Sequence, residues 1–149
     1  MNRFSKFLVI VLVLVVAVFC FLGCAGSEGE FTVVVIRGHD REAYTLDSTG
    51  SDMTYLIDAL DALQNDEETD FSYAVNGTFL TTVNGYTAVS SAHEFWAIYT
   101  DCEIEGLKYY DIAWGTADYE GIMYGSATKG ITELPLNGGT TYIIKLSTW

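Results

Sequence analysis

The sequence predicts an α+β fold, a single small domain in which a mainly antiparallel β-sheet carries one packed helix. Three observations predict it. Between Phe71 and Tyr99 the chain alternates in period two: Phe71, Tyr73 and Val75, then Phe79, Thr81 and Val83, then Phe95, Ala97 and Tyr99. Met53, Leu56, Ile57, Leu60 and Leu63 instead recur at helical spacing, with Asp58 and Asp61 on the other side. Strand formers dominate at both ends of this region, in Phe31 to Arg37 and in Thr140 to Ser147.

In chain order, Arg3 and Lys6 precede an apolar run from Phe7 to Leu22 that meets Gly23-Cys24-Ala25-Gly26. The run is shorter than the roughly 20 apolar residues that span a bilayer comfortably. With a small residue ahead of Cys24 it reads as a lipoprotein signal over residues 1–23, with Cys24 as the lipidated residue and 24–30 as linker. Phe21 and Leu22 make the lipidation motif imperfect, so cleavage after Ala25 or an uncleaved anchor are the competing readings. A domain over residues 31–149 is long enough to bury roughly two thirds of its unfolded surface.

Phe31 to Arg37 is expected as a buried first strand, Arg37 to Arg41 as a turn and Glu42 to Asp47 as a returning strand. The helix is expected over Met53 to Gln64, covering one face of the sheet because that face needs a second layer. Asn76-Gly77 and Asn84-Gly85 accept positive φ and mark reversals, giving an antiparallel meander from Phe71 to Tyr99. Leu107 to Trp114 is expected to pair with the Glu94 to Thr100 strand. Gly115 to Gly130 reads as an elaborated loop with a short strand around Ile122 to Tyr124, and Thr140 to Ser147 as the last strand.

Twenty acids face seven bases, two of which lie in the leader, so the domain is strongly acidic. That repels nucleic acid, and no basic stripe with interleaved aromatics offsets it. Of three cysteines, Cys20 leaves with the signal and Cys24 takes lipid, so Cys102 has no disulfide partner and is expected as a loop or half-buried thiol. His39 and His93 are the only histidines, and no Gly-x-Ser-x-Gly, His-Glu-x-x-His or paired-cysteine motif is present. Neither an enzyme, a metal centre nor a cofactor is expected. The acidic runs Asn65 to Asp70 and Asp101-x-Glu103-x-Glu105 suggest calcium, but the first lacks ligand spacing and the second meets Ile112 where a closing acid belongs. Both read as solvated loops.

Phe71-x-Tyr73, Gly77-x-Phe79-Leu80-Thr81-x-Val83-x-Gly85 and Glu94-Phe95-Trp96 resemble the C-terminal β domain of the cobalamin carriers transcobalamin and intrinsic factor, a domain shared by small bacterial cell-surface lipoproteins. The resemblance runs from Met53 to Trp149 and fails between Tyr99 and Gly130, where the family has a short hairpin. It implies a β-grasp-like sheet and one wall of a small-molecule site, with Leu80, Thr82, Val83 and Trp96 as ligand-binding candidates. A corrinoid is the ligand it points to, and no helical domain is present to form a second wall. Strand parity adds an expectation: if Phe95, Ala97 and Tyr99 face the helix, Trp96 and Ile98 face the opposite surface, partly accessible beside Thr82 unless the Tyr119 loop folds back. The reading is an exported, lipid-anchored protein on the outer face of the membrane that binds a small molecule, or alternatively a surface module that binds a partner protein or glycan.

Overall fold

The computed structural model describes residues 26–149. The leader, Cys24 and the competing cleavage readings lie outside the described residues. Eight-residue strands β1 (Glu30–Arg37) and β2 (Asp40–Asp47) form a hairpin in unbroken register, from Glu30 opposite Asp47 to Arg37 opposite Asp40. Its two-residue turn starts on Gly38 at φ +62°, which a side chain would resist.

Helix α1 (Leu56–Asn65) buries Leu56, Ala59, Leu60 and Leu63 against the sheet. It starts three residues later than the apolar spacing suggests, because Tyr55 pairs as an extended bridge with Pro135, and Leu56 and Ile57 donate their N–H groups to the carbonyls of Leu134 and Ile131. Asp58 turns back and accepts from the N–H groups of Thr54 and Tyr55 at 2.8 Å each, neutralising exposed donors at the positive end of the helix.

The Phe71 to Tyr99 meander divides between two sheets. Strands β3 (Tyr73–Asn76), β4 (Phe79–Val83) and β5 (Tyr86–Thr87) form a small sheet of their own. Beyond a 3-10 turn at Ser90–Ala92, β6 (Glu94–Thr100) enters the main sheet. Strands β7 (Glu103–Ile104) and β8 (Leu107–Lys108) make a short hairpin. The segment expected to be a loop is mostly a second long hairpin of β9 (Tyr110–Tyr119) and β10 (Ile122–Ala127), and it is β10, not the chain around Leu107 to Trp114, that pairs with β6. Poor periodicity in β9 has a physical cause. Ser126 lies opposite Asp111 while Gly125 lies opposite Thr116, so residues 112–115 bulge out of the ladder and shift its alternation.

Strand β11 (Thr141–Thr148) completes a six-stranded sheet of order β2-β1-β11-β6-β10-β9. It runs parallel to β1 and antiparallel to β6, making the fold α+β with one parallel pair inside an otherwise antiparallel sheet. Alternate residues serve two cores. Phe31, Val33, Val35, Trp96, Tyr142 and Ile144 pack under α1, while Val34, Ile36, Tyr99 and Ile143 face the other way, under Ala117 and Tyr124 of the β9–β10 hairpin.

This reverses the expected parity of β6: Trp96 lies on the helix side and Tyr99 on the far side. Trp96 is 6% exposed and not an accessible platform. The far face is covered by the hairpin carrying Tyr119. Cys102 is fully buried rather than half-buried, beside the Tyr142 hydroxyl at 3.7 Å, and burial pushes its thiol pKa up. That keeps it protonated and unreactive.

Candidate functional site

A cleft of ≈ 50 Å³ opens where the turn end of the β1–β2 hairpin meets the β4–β5 turn, lined by Val35, Arg37, Asp40, Glu42, Val83, Asn84 and Trp96. Register explains the convergence. The tight β1–β2 turn brings Arg37 opposite Asp40, and their side chains form an ion pair at 3.7 Å. Glu42 sits opposite Val35.

Asn84 and Gly85 form the two-residue turn between Val83 and Tyr86, with φ of +46° and +75°, a backbone that Asn-Gly accepts readily. Held in that turn, the Asn84 amide stitches three elements. Its Oδ1 accepts from the Ser72 N–H at 3.1 Å, and its Nδ2 donates to the Glu42 carboxylate and to the Tyr44 hydroxyl. Tyr44 in turn donates to Glu42 at 2.8 Å. Burial, followed by the bond to Glu42, raises the Tyr44 pKa, so the hydroxyl remains a donor.

Behind the cleft, the Arg37 guanidinium lies 5.3 Å from the Tyr86 ring centre, and that ring meets Trp96 edge-on at 6.4 Å. Tyr86 donates its hydroxyl to both oxygens of Glu94, at 3.1 and 2.9 Å, and that bond is the main reason its pKa is raised. The Trp96 indole N–H is buried with no hydrogen-bond partner among the described residues. A buried orphan donor is costly and uncommon.

The sequence candidates separate here. Val83 and Trp96 come together at the cleft. Leu80 is buried in the helix-side core, and Thr82 is half-buried with its hydroxyl 2.9 Å from that of Thr87. Simple alternation would put Leu80 and Val83 on opposite faces. A bulge reconciles them, since Ala74 pairs with Thr82 and Val75 with Leu80, leaving Thr81 as the extra residue. Arg37, Asp40, Glu42 and Asn84 were not legible as site residues, because only tertiary contact between the two turns assembles them; the Asn84-Gly85 signal marked the turn but not its amide.

Chemically the cleft offers a cation, two carboxylates and an amide around an indole and two valines, the polar groups being suited to ion pairing and hydrogen bonding. Among the described residues, no group of three or more His, Cys, Asp or Glu side chains gathers to hold a metal. Two of the groups near Glu42 already bond its carboxylate. Among the described residues, no helix is long and apolar enough to cross a membrane.

Fold and cleft together define a small, mostly β, α+β domain with an open polar recess. No family model and no curated protein matches the chain. Among solved structures it is similar to a protein from Ruminococcus gnavus described as a "putative metal binding protein", with a TM-score of 0.52, 20% identity, and coverage of 82% of this chain and 99% of that one. At that identity the likeness shows the fold.

Proposed function

We propose that this is an exported, lipid-anchored, non-catalytic protein whose β-grasp-like domain binds a small polar molecule at the Trp96 cleft. The single observation that carries the binding reading is the recess itself, where charges of both signs stand around an apolar floor of Val35, Val83 and Trp96. The β-grasp-like description is supported by the hairpin, crossing helix and parallel pairing of β1 with β11. Cys24 behind a short apolar run supports the anchor, on the outer face of the membrane.

Size restricts the ligand. Pockets that enclose drug-sized molecules run to about 300–1,000 Å³, so a recess of ≈ 50 Å³ takes one substituent and leaves the remainder outside. A corrinoid would rest its periphery here, with a partner supplying any further wall. The test is calorimetric titration of the full chain in detergent with cobinamide, cobalamin and cell-wall glycans, repeated on Glu42→Gln. Heat that Glu42→Gln abolishes supports the cleft; heat unchanged by that substitution moves the site elsewhere. The protein- or glycan-binding alternative draws on Trp114, 68% exposed on the bulge of β9.

A further inference from the structure

The six-stranded sheet has two edges, and they are built differently. The β9 edge is interrupted by the bulge at residues 112–115, where Gly115 has φ +131° and the Ala113 N–H turns onto the Asp111 carboxylate at 2.8 Å. Such a bulge spoils an edge as a template for another strand. The β2 edge has no such interruption. All eight of its residues are in register with β1, its only strand neighbour among the described residues, and it contains neither proline nor bulge. Because Arg37 and Asp40 close a two-residue turn as a bonded pair, the antiparallel alternation directs the N–H and C=O groups of Arg41, Ala43, Thr45 and Asp47 outward.

Beside this edge, β2 and the last turns of α1 enclose a groove of ≈ 380 Å³. Tyr44, Leu46, Met53 and Leu63 give it an apolar lining, and Asp47 and Asp66 stand at it. A strand added to β2 would drop alternate side chains into this groove.

We propose that the β2 edge and its groove bind an extended, basic segment of a partner protein by strand addition, independently of the Trp96 cleft. Charge selects this occupant. Asp47 and Asp66 are followed along α1's exit by Glu67, Glu68 and Asp70, on a chain of net charge −13. Lysine or arginine on an incoming strand is attracted to that rim. A second copy of this chain would bring Asp40, Glu42 and Asp47 to the same acids and be repelled. Main-chain pairing supplies affinity and the alternate apolar side chains supply register.

The test uses the full chain in detergent and a labelled seven-residue peptide alternating lysine with valine, read by fluorescence anisotropy. Thr45→Pro removes one outward N–H without touching the ladder to β1, a substitution that edge strands tolerate. We expect it to weaken binding at least tenfold, and Asp66→Lys to weaken it several-fold and flatten the salt dependence. A peptide with proline at its central valine should fail to bind. Hydrogen exchange at the Ala43 and Thr45 amides of the parent should slow on peptide addition, which tests the site even if Thr45→Pro does not fold. Unchanged exchange there, or equal binding of the proline peptide, overturns strand addition and leaves charge attraction alone. Dimers by light scattering that Thr45→Pro dissolves would overturn the choice of occupant in favour of a second copy.

Discussion

Replacing Trp96 by phenylalanine should be nearly neutral, an unusual expectation for a residue 94% buried in the main core. Trp96→Phe removes two carbons, worth about 0.8 kcal/mol each as buried apolar matter, and leaves a void costing on the order of 1 kcal/mol more. It also removes the indole N–H, whose burial without a partner costs about 1–3 kcal/mol. The two effects offset, so the net change should lie within about 1.5 kcal/mol of the parent. Trp96→Ala has no such compensation in scale and should lose about 3–5 kcal/mol. Urea unfolding followed by far-ultraviolet circular dichroism measures both variants without relying on the tryptophan signal. A loss in Trp96→Phe approaching that of Trp96→Ala would refute the reasoning, since it would mean that the N–H is satisfied in solution.

Leu60→Asp should unfold the domain, since Leu60 is fully buried under the sheet and an unpaired carboxylate there costs several kcal/mol against a total stability of about 5–15; a melt like the parent's would show that α1 is not a core element. Tyr73 and Tyr142 have raised pKa values, burial being the first cause in each, with the Asp61 carboxylate helping to hold Tyr73 neutral. Groups raised in the folded state contribute stability that is complete below the unfolded value, about 10 for tyrosine, and lost as pH climbs above it. The melting temperature should therefore hold level in this respect up to about pH 9–10 and fall beyond it, more gently in Tyr73→Phe. Cys24→Ser should release the protein from membranes or block its processing, seen by mass and fractionation; unchanged mass and retention would indicate an uncleaved helix.

How legible these features were depended on whether a local rule decided them. The α1 face and the β1 and β11 runs follow from side-chain period and burial, and they fall where the sequence puts them. Where an extra residue enters a strand, the period-two rule fails silently: the β9 bulge hid a ten-residue strand, and Thr81 hid the shared burial of Leu80 and Val83. Trp96 shows a different limit. Alternation says that Trp96 and Tyr99 face opposite ways, but not which of two equally apolar faces belongs to the helix. The cleft was half visible, through Val83 and Trp96. Its charged half comes from a hairpin more than forty residues earlier, whose Arg37 and Glu42 read locally as ordinary turn and edge charges.

The parallel pairing of β1 and β11 also fixes which way the molecule points. Residues 27 and 28 lie against Asn137 and Gly138, with the Ser27 N–H on the Asn137 amide at 2.8 Å, so both strands set out from the same pole. Eight residues at about 3.3 Å each carry β1 roughly 25 Å from that pole. Arg37, Asp40 and the Trp96 cleft sit at the far end, near Trp149 and His93 where β11 finishes. Anything that grips the chain ahead of residue 26 therefore holds the domain by its base and aims the cleft away from the point of attachment, leaving the β2 edge upright along the side.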